Sequence, residues 1–456
     1  MKRMKRYNNS MLQGPLFPSI ISYTVPIILT SILQLLFNAA DLVIVGRYRG
    51  SLSVAAVSAT GSIINLLINL FIGLSIGSGV SVAHALGGKQ QEEARKIVHT
   101  ALPTALTGGL LVSIVGVCFS EPLLRLTGTP ENVLPLSTLY MKIYFGGMVF
   151  TMVYNFCASI LRAAGDSRSP LVYLGFAGVV NVILNVLFVT VFDMNVEGVA
   201  IATVISQVIS ALLVVRALIR RTDACHLNLK AIRFYKPQLL KLLRIGLPAG
   251  IQSSLFSISN VIIQSSINSF GDILMSGNGA AASIEGFIYV CFNAFQQTAV
   301  NFIGQNSGAR QYKRARNVLL ICLASAVILT ITLSSLVFLF GPQLLSIYIT
   351  DSAQAIQDGM IRITYVTLPY FLCALMDVTT GGLRGLGASV TPMLISILGV
   401  CGIRLVWIFT IFQIPAYHTP QSLFFSYPIS WTFTFICQLI AFMAIYKKRS
   451  KTALVS

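Results

Sequence analysis

The chain has 456 residues, of which 55% are hydrophobic and 10% charged, and its mean hydropathy is +0.79. Because soluble domains carry roughly a quarter charged residues, this composition excludes a soluble globular protein and predicts an integral membrane protein. The formal charge of +18 would suit a nucleic-acid-binding protein, but the basic residues lie in short loops between apolar runs, which argues against a nucleic-acid partner.

Apolar runs of about 20 residues, the length of helix that crosses a bilayer, recur along the whole chain. With an even number of spans, both termini lie on one side of the membrane, and the loops of that side carry 26 of the 32 basic residues. Lysine and arginine accumulate in cytoplasmic loops, so the sequence predicts cytoplasmic termini. The twelve predicted spans lie near 16–46, 54–84, 97–119, 134–160, 169–192, 196–218, 245–270, 279–304, 317–340, 360–383, 391–413 and 424–446. The other six basic residues are Arg47, Arg49, Arg125 and Arg362 on the opposite side, and Lys142 and Arg404 in or at spans.

The first span places one acid inside an apolar segment. Gln34, Asn38 and Asp41 follow one another at spacings of four and three residues, so they share one face of a helix. A charge at membrane depth costs about 3 kcal/mol or more, and such an acid usually faces a protein cavity and has a function. The alternative is an acid near the helix end that reaches the interface, since Arg47 follows closely. Pro26, in the same span, is a candidate hinge or a static kink.

The two halves of the chain repeat each other at an offset of about 222 residues. Segments 161–170 and 383–392 are identical at five of ten positions, and Pro26 recurs as Pro248. A fixed offset predicts a duplicated bundle of six helices plus six, and an even number of spans per copy makes the copies parallel. The predicted organisation is a basic cytoplasmic tail at 1–14, a first lobe at 15–219, a cytoplasmic linker at 220–244, a second lobe at 245–446 and a cytoplasmic tail at 447–456.

The first half alone carries a set of polar groups that accompany the acid. Asn181 and Asn185 lie four residues apart on one face of the fifth span, and Thr203 lies in the sixth. With Asp41 they would supply oxygen ligands for Na⁺ or a hydrogen-bonded pocket for a proton. Isolated Asn and Thr in membranes also serve as hydrogen bonds between helices, and both interpretations stay open. The residues 222 positions after Asp41, Asn181 and Asn185 are Ile263, Ile403 and Trp407.

The second half has its own acids within spans, Glu285 and Asp377, and a polar stripe of Asn260, Gln264 and Asn268 on the seventh span. Acids that face an internal cavity attract cationic lipophilic molecules, and aromatic neighbours add cation–π contacts. The alternative is aromatic packing around two structural acids. The aromatic residues concerned are Phe287, Tyr289, Phe292, Tyr365, Tyr370 and Phe371.

Motifs of ATP-driven and catalytic proteins are absent from the sequence. No phosphate-binding loop, zinc-protease motif or hydrolase nucleophile motif occurs, and the eight cysteines and four histidines are scattered. The sequence therefore predicts no enzyme, no cofactor and no metal site apart from a Na⁺ site at Asp41. An ion gradient would supply the energy. A membrane-embedded protease or acyltransferase and a passive channel are the alternatives from other classes.

A series of short motifs runs in order from about Pro26 to Lys447. The motifs are Asp41 with Val-Gly46-Arg47, Ala-Ala-Val-Ser at 55–58, Gly87 with Ala94-Arg95, Leu161-Arg162 through Pro170, Asn181 with Asn185, and Gly198 through Thr203. Together they resemble the multidrug and toxic compound extrusion (MATE) family. Residues 282–287 and 302–306 resemble a bacterial MepA-like branch of it.

The resemblance implies an all-α integral membrane protein with twelve transmembrane helices, arranged as two pseudo-symmetric six-helix bundles around a central cleft. It implies alternating access and export of cationic amphiphilic compounds in exchange for H⁺ or Na⁺ across the bacterial cytoplasmic membrane. Many relatives have aspartate where this chain has Asn185, so Asp41 is the only acid of its pocket, which favours coupling to a single proton.

Roles for individual residues follow from the resemblance together with the polar patterns above. The cation-coupling candidates are Asp41, Asn181, Asn185, Thr203 and Tyr140, and the hinge candidate is Pro26. The substrate-binding candidates are Gln34, Asn38, Asn260, Gln264, Glu285 and Asp377.

The expected partners are small cationic or amphiphilic molecules and the lipid bilayer, and the protein is expected to be a monomer. The alternative function within transport is a flippase or exporter of a lipid-linked or other amphiphilic metabolite. A flippase needs a more cationic cleft to hold pyrophosphate. The buried charges expected here are three acids and at most Arg404 and Lys142, a balance that favours cationic substrates.

Overall fold

A computed structural model describes residues 11–350 and 352–455. These residues form twelve long helices and no β-strand, which confirms the predicted all-α class. Residues 1–10 and 456 of the predicted tails lie outside the described residues. The helices are α1 (Leu16–Arg49), α2 (Ser51–Gly87), α3 (Gln91–Leu126), α4 (Leu134–Gly146 and Met148–Ala163), α5 (Arg168–Val186 and Leu187–Val191), α6 (Val196–Ile219), α7 (Lys236–Asn268), α8 (Asp272–Gly308), α9 (Tyr312–Leu339), α10 (Ala353–Arg362, Ile363–Thr367, Leu368–Tyr370 and Phe371–Gly385), α11 (Val390–Ser396, Ile397–Gly402 and Ile403–Phe409) and α12 (Pro420–Val455).

The helices have the length and composition of membrane spans. Ten of them are long and apolar enough to cross a bilayer, and the two parts of α4, bent by 47°, make an eleventh. Helix α8 is also long enough to cross a bilayer, with 37 residues. It is not among the ten apolar helices because it contains polar residues such as Asn293, Gln296 and Gln297. The chain is therefore a multi-pass membrane protein.

Three helices contain a π-helical stretch. Leu187–Val191 ends α5, Ile363–Thr367 interrupts α10, and Ile397–Gly402 interrupts α11. A π turn widens the helix locally and is often found at functional sites. Each of these stretches contains, or lies within two residues of, a buried polar side chain of the sites described below.

The described residues divide into two compact units, and the divisions fall inside α1 and α7. Each division lies within three residues of a proline, Pro26 in α1 and Pro248 in α7. The lobe limits predicted from the sequence rest on the ends of spans rather than on contacts, and they stay predictions. Unit 1 comprises residues 25–250, and unit 2 comprises residues 11–24, 251–350 and 352–455.

Two pairs of glycines bring α2 and α7 together within unit 1. Gly73 and Gly77 lie one turn apart on α2, and Gly246 and Gly250 do so on α7. A Cβ atom on Gly73 would lie 2.1 Å from the backbone nitrogen of Gly250, and one on Gly77 would lie 2.3 Å from the backbone oxygen of Leu242. These distances leave no room for a side chain, so the contact requires small residues on both helices.

The segment between α6 and α7 packs onto the beginning of α3, also within unit 1. The backbone N–H of Asn228 donates a hydrogen bond to Nε2 of His99 at 3.0 Å. Nε2 of Gln238 donates to the Glu93 carboxylate at 2.7 Å. The linker is thus attached to unit 1 by specific polar contacts.

Candidate functional site

A polar cluster surrounds Asp41 in the interior of unit 1. The Asp41 side chain is buried, with 7% of its surface exposed. Asn185 Nδ2 donates a hydrogen bond to Asp41 Oδ1 at 2.5 Å, and Thr203 Oγ1 lies 3.4 Å from Oδ2. Asn181 lies between these two groups, since its Oδ1 accepts from Asn185 Nδ2 at 3.3 Å and its Nδ2 donates to Thr203 Oγ1 at 3.4 Å. Four of the five predicted coupling residues therefore form one hydrogen-bonded network.

The local structure of α5 explains this geometry. Asn181 and Asn185 project from one face because they are four residues apart, and both are buried. The π-helical stretch Leu187–Val191 begins two residues after Asn185. Within the described residues, Oδ1 of Asn185 is a buried acceptor with no hydrogen-bond partner. A buried acceptor without a donor is costly, and its position in the network suits a proton donor or a cation.

Tyr140, the fifth predicted residue, lies in the same region together with two residues that the sequence analysis missed. Tyr140 and Tyr144 both interact electrostatically with Asp41, and their rings stack with centroids 6.1 Å apart. Gln207 hydrogen-bonds Tyr144 and accepts a bond from Thr151. Both missed residues follow a predicted one at a spacing of four, Tyr144 after Tyr140 and Gln207 after Thr203. That spacing is the signal in the sequence that points to them.

Two predicted polar residues of α1 do not join this network. Gln34 and Asn38 are exposed on the helix surface, whereas Asp41 is buried. Pro26 leaves α1 continuous from Leu16 to Arg49. The hydroxyl of Thr30 donates to the Pro26 carbonyl at 2.7 Å, a contact that does not replace the N–H that proline lacks.

Glu285 is paired with a buried arginine in unit 2. Arg362 Nε and Nη2 donate to the two Glu285 carboxylate oxygens at 3.0 and 2.7 Å, and Thr367 Oγ1 donates to Oε1 at 2.7 Å. Arg362 Nη1 also donates to Asn278 Oδ1 at 2.7 Å. The placement of Arg362 in a loop was wrong, because α10 begins at Ala353 and carries this residue inside the helix. The pair neutralises the charge that a cationic substrate would meet.

The polar stripe on α7 is only partly connected to this pair. Gln264 accepts a hydrogen bond from Asn278 at 3.3 Å and donates to Asn268 at 2.8 Å, so it joins the Glu285 network through Asn278. Asn260 is exposed on α7. Of the two stripe residues predicted to bind substrate, the structure connects Gln264 to the buried acid and leaves Asn260 apart.

Asp377 is the second buried acid of unit 2, with 6% of its surface exposed. It interacts electrostatically with Arg384 and Tyr289. Arg384 is itself buried and donates to Gln252 Oε1 at 2.8 Å. Its predicted place among the 26 basic loop residues was wrong, because it lies in the last turn of α10. Lys142 is exposed. Unit 2 therefore buries three arginines, at 362, 384 and 404, with two acids, a more cationic interior than the sequence predicted.

The repeat identifies the family of this twelve-helix chain. The model of the MatE family matches the chain twice, over residues 26–187 and 248–410. The chain belongs to the MatE family. The two matches begin at Pro26 and Pro248, which are 222 residues apart, so this MATE protein contains the duplication that the sequence predicted.

Relatives of this MATE protein are multidrug proteins of bacteria. The chain is 28% identical over 449 residues to the probable multidrug resistance protein YoeA of Bacillus subtilis (strain 168), with 96% of each chain covered. It is 22% identical over 452 residues to the multidrug export protein MepA of Staphylococcus saprophyticus, with 96% of this chain and 95% of MepA covered. A crystal structure of a MATE protein in the bent conformation matches with a TM-score of 0.89 at 19% identity, covering 100% of this chain and 99% of that one. This likeness confirms the twelve-helix fold.

Proposed function

We propose that this MATE protein is a secondary active exporter of amphiphilic compounds that carry a cationic group, driven by H⁺ entry and operating by alternating access. The names of YoeA and MepA support a multidrug substrate range. The absence of an ATP-binding loop in the sequence supports an ion gradient as the energy source. The protein acts without a cofactor, and its coupling ion is a transported substrate.

The Asp41 network carries the proposal of H⁺ coupling. A lone carboxylate at membrane depth is costly when charged, and in unit 1 it is held by neutral donors from α5 and α6. A proton that reaches Asp41 removes the charge and changes which of its oxygens accept hydrogen bonds. Transport then requires that the protonated and deprotonated states favour different conformations. Pro26, on the same helix as Asp41, is the proposed hinge.

Na⁺ is the second candidate coupling ion, and one atom favours it. Asn185 Oδ1 is a buried acceptor without a partner in the described part of the chain. Together with the Asp41 carboxylate and the oxygens of Asn181 and Thr203, it would give a hard cation the oxygen ligands it prefers. Against this, the network contains one acid, and its present hydrogen bonds occupy several of these oxygens.

The cationic group of the substrate is proposed to meet Asp377 rather than Glu285. Arg362 already pairs with Glu285 through two hydrogen bonds. The role of Glu285 is therefore to hold that arginine in position rather than to contact the substrate. Tyr370 interacts electrostatically with Glu285, and Tyr289 does so with Asp377. Phe292 contacts both rings, with centroids 5.2 Å apart in each pair. The polar residues Gln34, Asn38, Asn260 and Gln264 remain proposed substrate contacts.

The flippase alternative is favoured by one observation, the excess of buried arginines over acids in unit 2. A lipid-linked pyrophosphate would need such cations. Unit 1, with Asp41 as the buried acid of its network, argues for a cation-coupled exporter instead. We further propose that the protein is a monomer of the bacterial cytoplasmic membrane with cytoplasmic termini, and that it binds no nucleic acid and catalyses no covalent reaction.

Efflux of ethidium from proteoliposomes tests the proposal. A proton gradient or a sodium gradient is imposed separately on wild-type protein, Asp41→Asn and the control Asp272→Asn, whose acid is exposed at the beginning of α8. We expect efflux with the proton gradient for the wild type and the control, and none for Asp41→Asn. Efflux by Asp41→Asn at the wild-type rate would contradict the role of Asp41. Efflux driven by the sodium gradient alone would identify Na⁺ as the ion, and flux that persists without any gradient would identify a channel.

A further inference from the structure

Arg404 is a buried cation of unit 2 that pairs with no carboxylate among the described residues. Arg404 has 4% of its surface exposed. Nε donates to Ser430 Oγ at 3.0 Å, and the guanidinium carbon lies 3.9 Å from the ring centroid of Tyr427 and 5.6 Å from that of Trp431. Within the described chain, Nη1 and Nη2 donate no hydrogen bond. Neither nitrogen is among the fully buried donors that lack a partner, so both keep accessible surface from which they can donate to a ligand.

The other two buried arginines of unit 2 differ from Arg404. Arg362 has both oxygens of Glu285, and Arg384 lies in the field of Asp377. The ionisable neighbours of Arg404 are phenols and thiols, which carry no charge at neutral pH. They are Tyr370, Cys373, Cys401 and Tyr427.

The surroundings of Arg404 hold its guanidinium in a fixed orientation. Stacking on Tyr427 and the bond to Ser430 restrain the plane of the group, and the π-helical stretch Ile397–Gly402 directly precedes the helical segment that carries it. A fixed, planar guanidinium binds a carboxylate through two parallel hydrogen bonds. A purely structural role would leave both terminal nitrogens without an acceptor among the described residues, with only the aromatic contacts and the one bond to Ser430 to hold the guanidinium.

Aromatic rings extend from Arg404 and would receive the apolar part of a ligand. Trp431 contacts Tyr427 and Tyr370 with centroids 5.6 and 5.4 Å apart, and Tyr370 contacts Phe292 at 5.2 Å. All four rings are buried. The arrangement places a cation at one end of a row of aromatic side chains, which is the complement of an amphiphilic anion.

We propose that Arg404 binds the carboxylate of an amphiphilic substrate through Nη1 and Nη2, while the apolar part of that substrate lies against Trp431 and Tyr370. The inference rests on the proposed export function and extends its substrate class to compounds that carry a carboxylate. Asp377 and Arg404 then serve opposite charges within unit 2.

The chain supplies its own reporter for this site. It has two tryptophans, and Trp431 lies against the Arg404 guanidinium, so the Trp407→Phe variant leaves Trp431 as the one source of tryptophan fluorescence. The full chain in phosphatidylcholine nanodiscs is titrated at pH 8 with decanoate, with methyl decanoate and with decyltrimethylammonium. We expect a saturable fluorescence change with decanoate and at least about tenfold weaker binding of the uncharged ester.

Substitutions of Arg404 separate charge recognition from apolar contact. In the same background, Arg404→Gln should weaken decanoate at least about tenfold and leave decyltrimethylammonium within about twofold, and Arg404→Lys should fall between the wild type and Gln. The control Arg125→Gln, at an exposed arginine, should bind like the wild type. Equal binding of decanoate and its ester to wild-type protein, or equal weakening of all three probes by Arg404→Gln, would overturn the proposal. The ester comparison decides the question even if Arg404→Gln fails to fold.

Ligand binding is measured without any ion gradient. The proposed carboxylate site can therefore be refuted independently of the proposed export function. If ethidium efflux is absent but the wild type prefers decanoate over its ester, the carboxylate site stands and the export function falls. If efflux depends on Asp41 but decanoate and its ester bind alike, the reverse holds.

Discussion

Trp407 and Phe425 pack edge to face in unit 2, with ring centroids 6.4 Å apart, at the repeat positions of Asn185 and Thr203. Both offsets are 222 residues. In unit 1 the corresponding pair donates hydrogen bonds to Asp41, whereas in unit 2 it forms an apolar contact. The two copies of the bundle have therefore diverged at one equivalent place, and only unit 1 keeps the groups that hold an acid there. We expect ion coupling to depend on unit 1.

Asn185→Ala should reduce proton-driven ethidium efflux about tenfold or more. The substitution removes the donor to Asp41 Oδ1, and hydrogen bonds to charged groups contribute about 1.5–3 kcal/mol. The control is Asn301→Ala, because Asn301 is a buried amide of unit 2 that donates to the Gln297 carbonyl one turn earlier on α8. Efflux rates are measured in proteoliposomes at equal protein content. Equal rates for the two variants would show that Asn185 is a packing residue.

The residues of the Asp41 network could be predicted from the sequence because helical spacing and the internal repeat define them. Asn181 and Asn185 share a helical face through their spacing, and the repeat showed that unit 2 lacks their counterparts. Neither inference needed a tertiary contact. Tyr144 and Gln207 were missed because aromatic and amide residues at that spacing are common in ordinary helix packing.

The ion pair of Arg362 and Glu285 could not be predicted from the sequence, for a physical reason. The two residues are 77 positions apart and meet through contact between α8 and α10. Apolarity located the beginning of α10 near residue 360, but the helix starts at Ala353 with a polar first part that includes Gln354 and Asp358. An arginine at the edge of an apolar run was therefore interpreted as a loop residue, although the helix extends beyond that run.

Gly73→Ala should destabilise unit 1. The new Cβ would lie 2.1 Å from the backbone of Gly250, so α2 and α7 must separate, and such overpacking costs about 1–3 kcal/mol. Gly61→Ala is the control on the same helix, because a Cβ there meets nothing within 4 Å and alanine favours helix. Scanning fluorimetry of the purified protein should show a melting temperature several degrees lower for Gly73→Ala and no decrease for Gly61→Ala. Equal melting temperatures would mean that α2 and α7 can separate without a loss of stability.

Cys225 should report the attachment of the linker to unit 1. Burial raises the pKa of the Cys225 thiol to about 12, so at pH 8 the thiol is protonated in the folded protein and reacts slowly with maleimide. The unfolded thiol ionises near pH 9.0. The folded state of the linker that carries Cys225 therefore loses stability, relative to the state in which the linker is detached, as the pH rises through 9 towards 12. Labelling of Cys225 should accelerate over that range.

His99→Ala should accelerate this labelling at pH 8 by about fivefold or more, because the Asn228 N–H loses its acceptor and such a bond contributes about 1 kcal/mol. The measurement uses a variant in which Cys225 is the one remaining cysteine. His418→Ala, in unit 2, is the matched control and should leave the rate unchanged. If both histidine variants label at the same rate, the contact between His99 and Asn228 does not hold the linker closed.

Glu285→Gln and Arg362→Gln should each destabilise the protein, and the double variant should recover most of the loss. Each single change leaves one buried charge without its partner, which costs about 3–5 kcal/mol, whereas the double change removes both charges. The exposed pair of Arg125 and Glu121 is the control, and single substitutions there should leave the melting temperature unchanged. Melting temperatures of the four unit 2 proteins, wild type included, form a double-mutant cycle. If Glu285 instead met a substrate cation directly, Glu285→Gln would weaken ethidium binding without lowering the melting temperature, and adding Arg362→Gln would restore nothing.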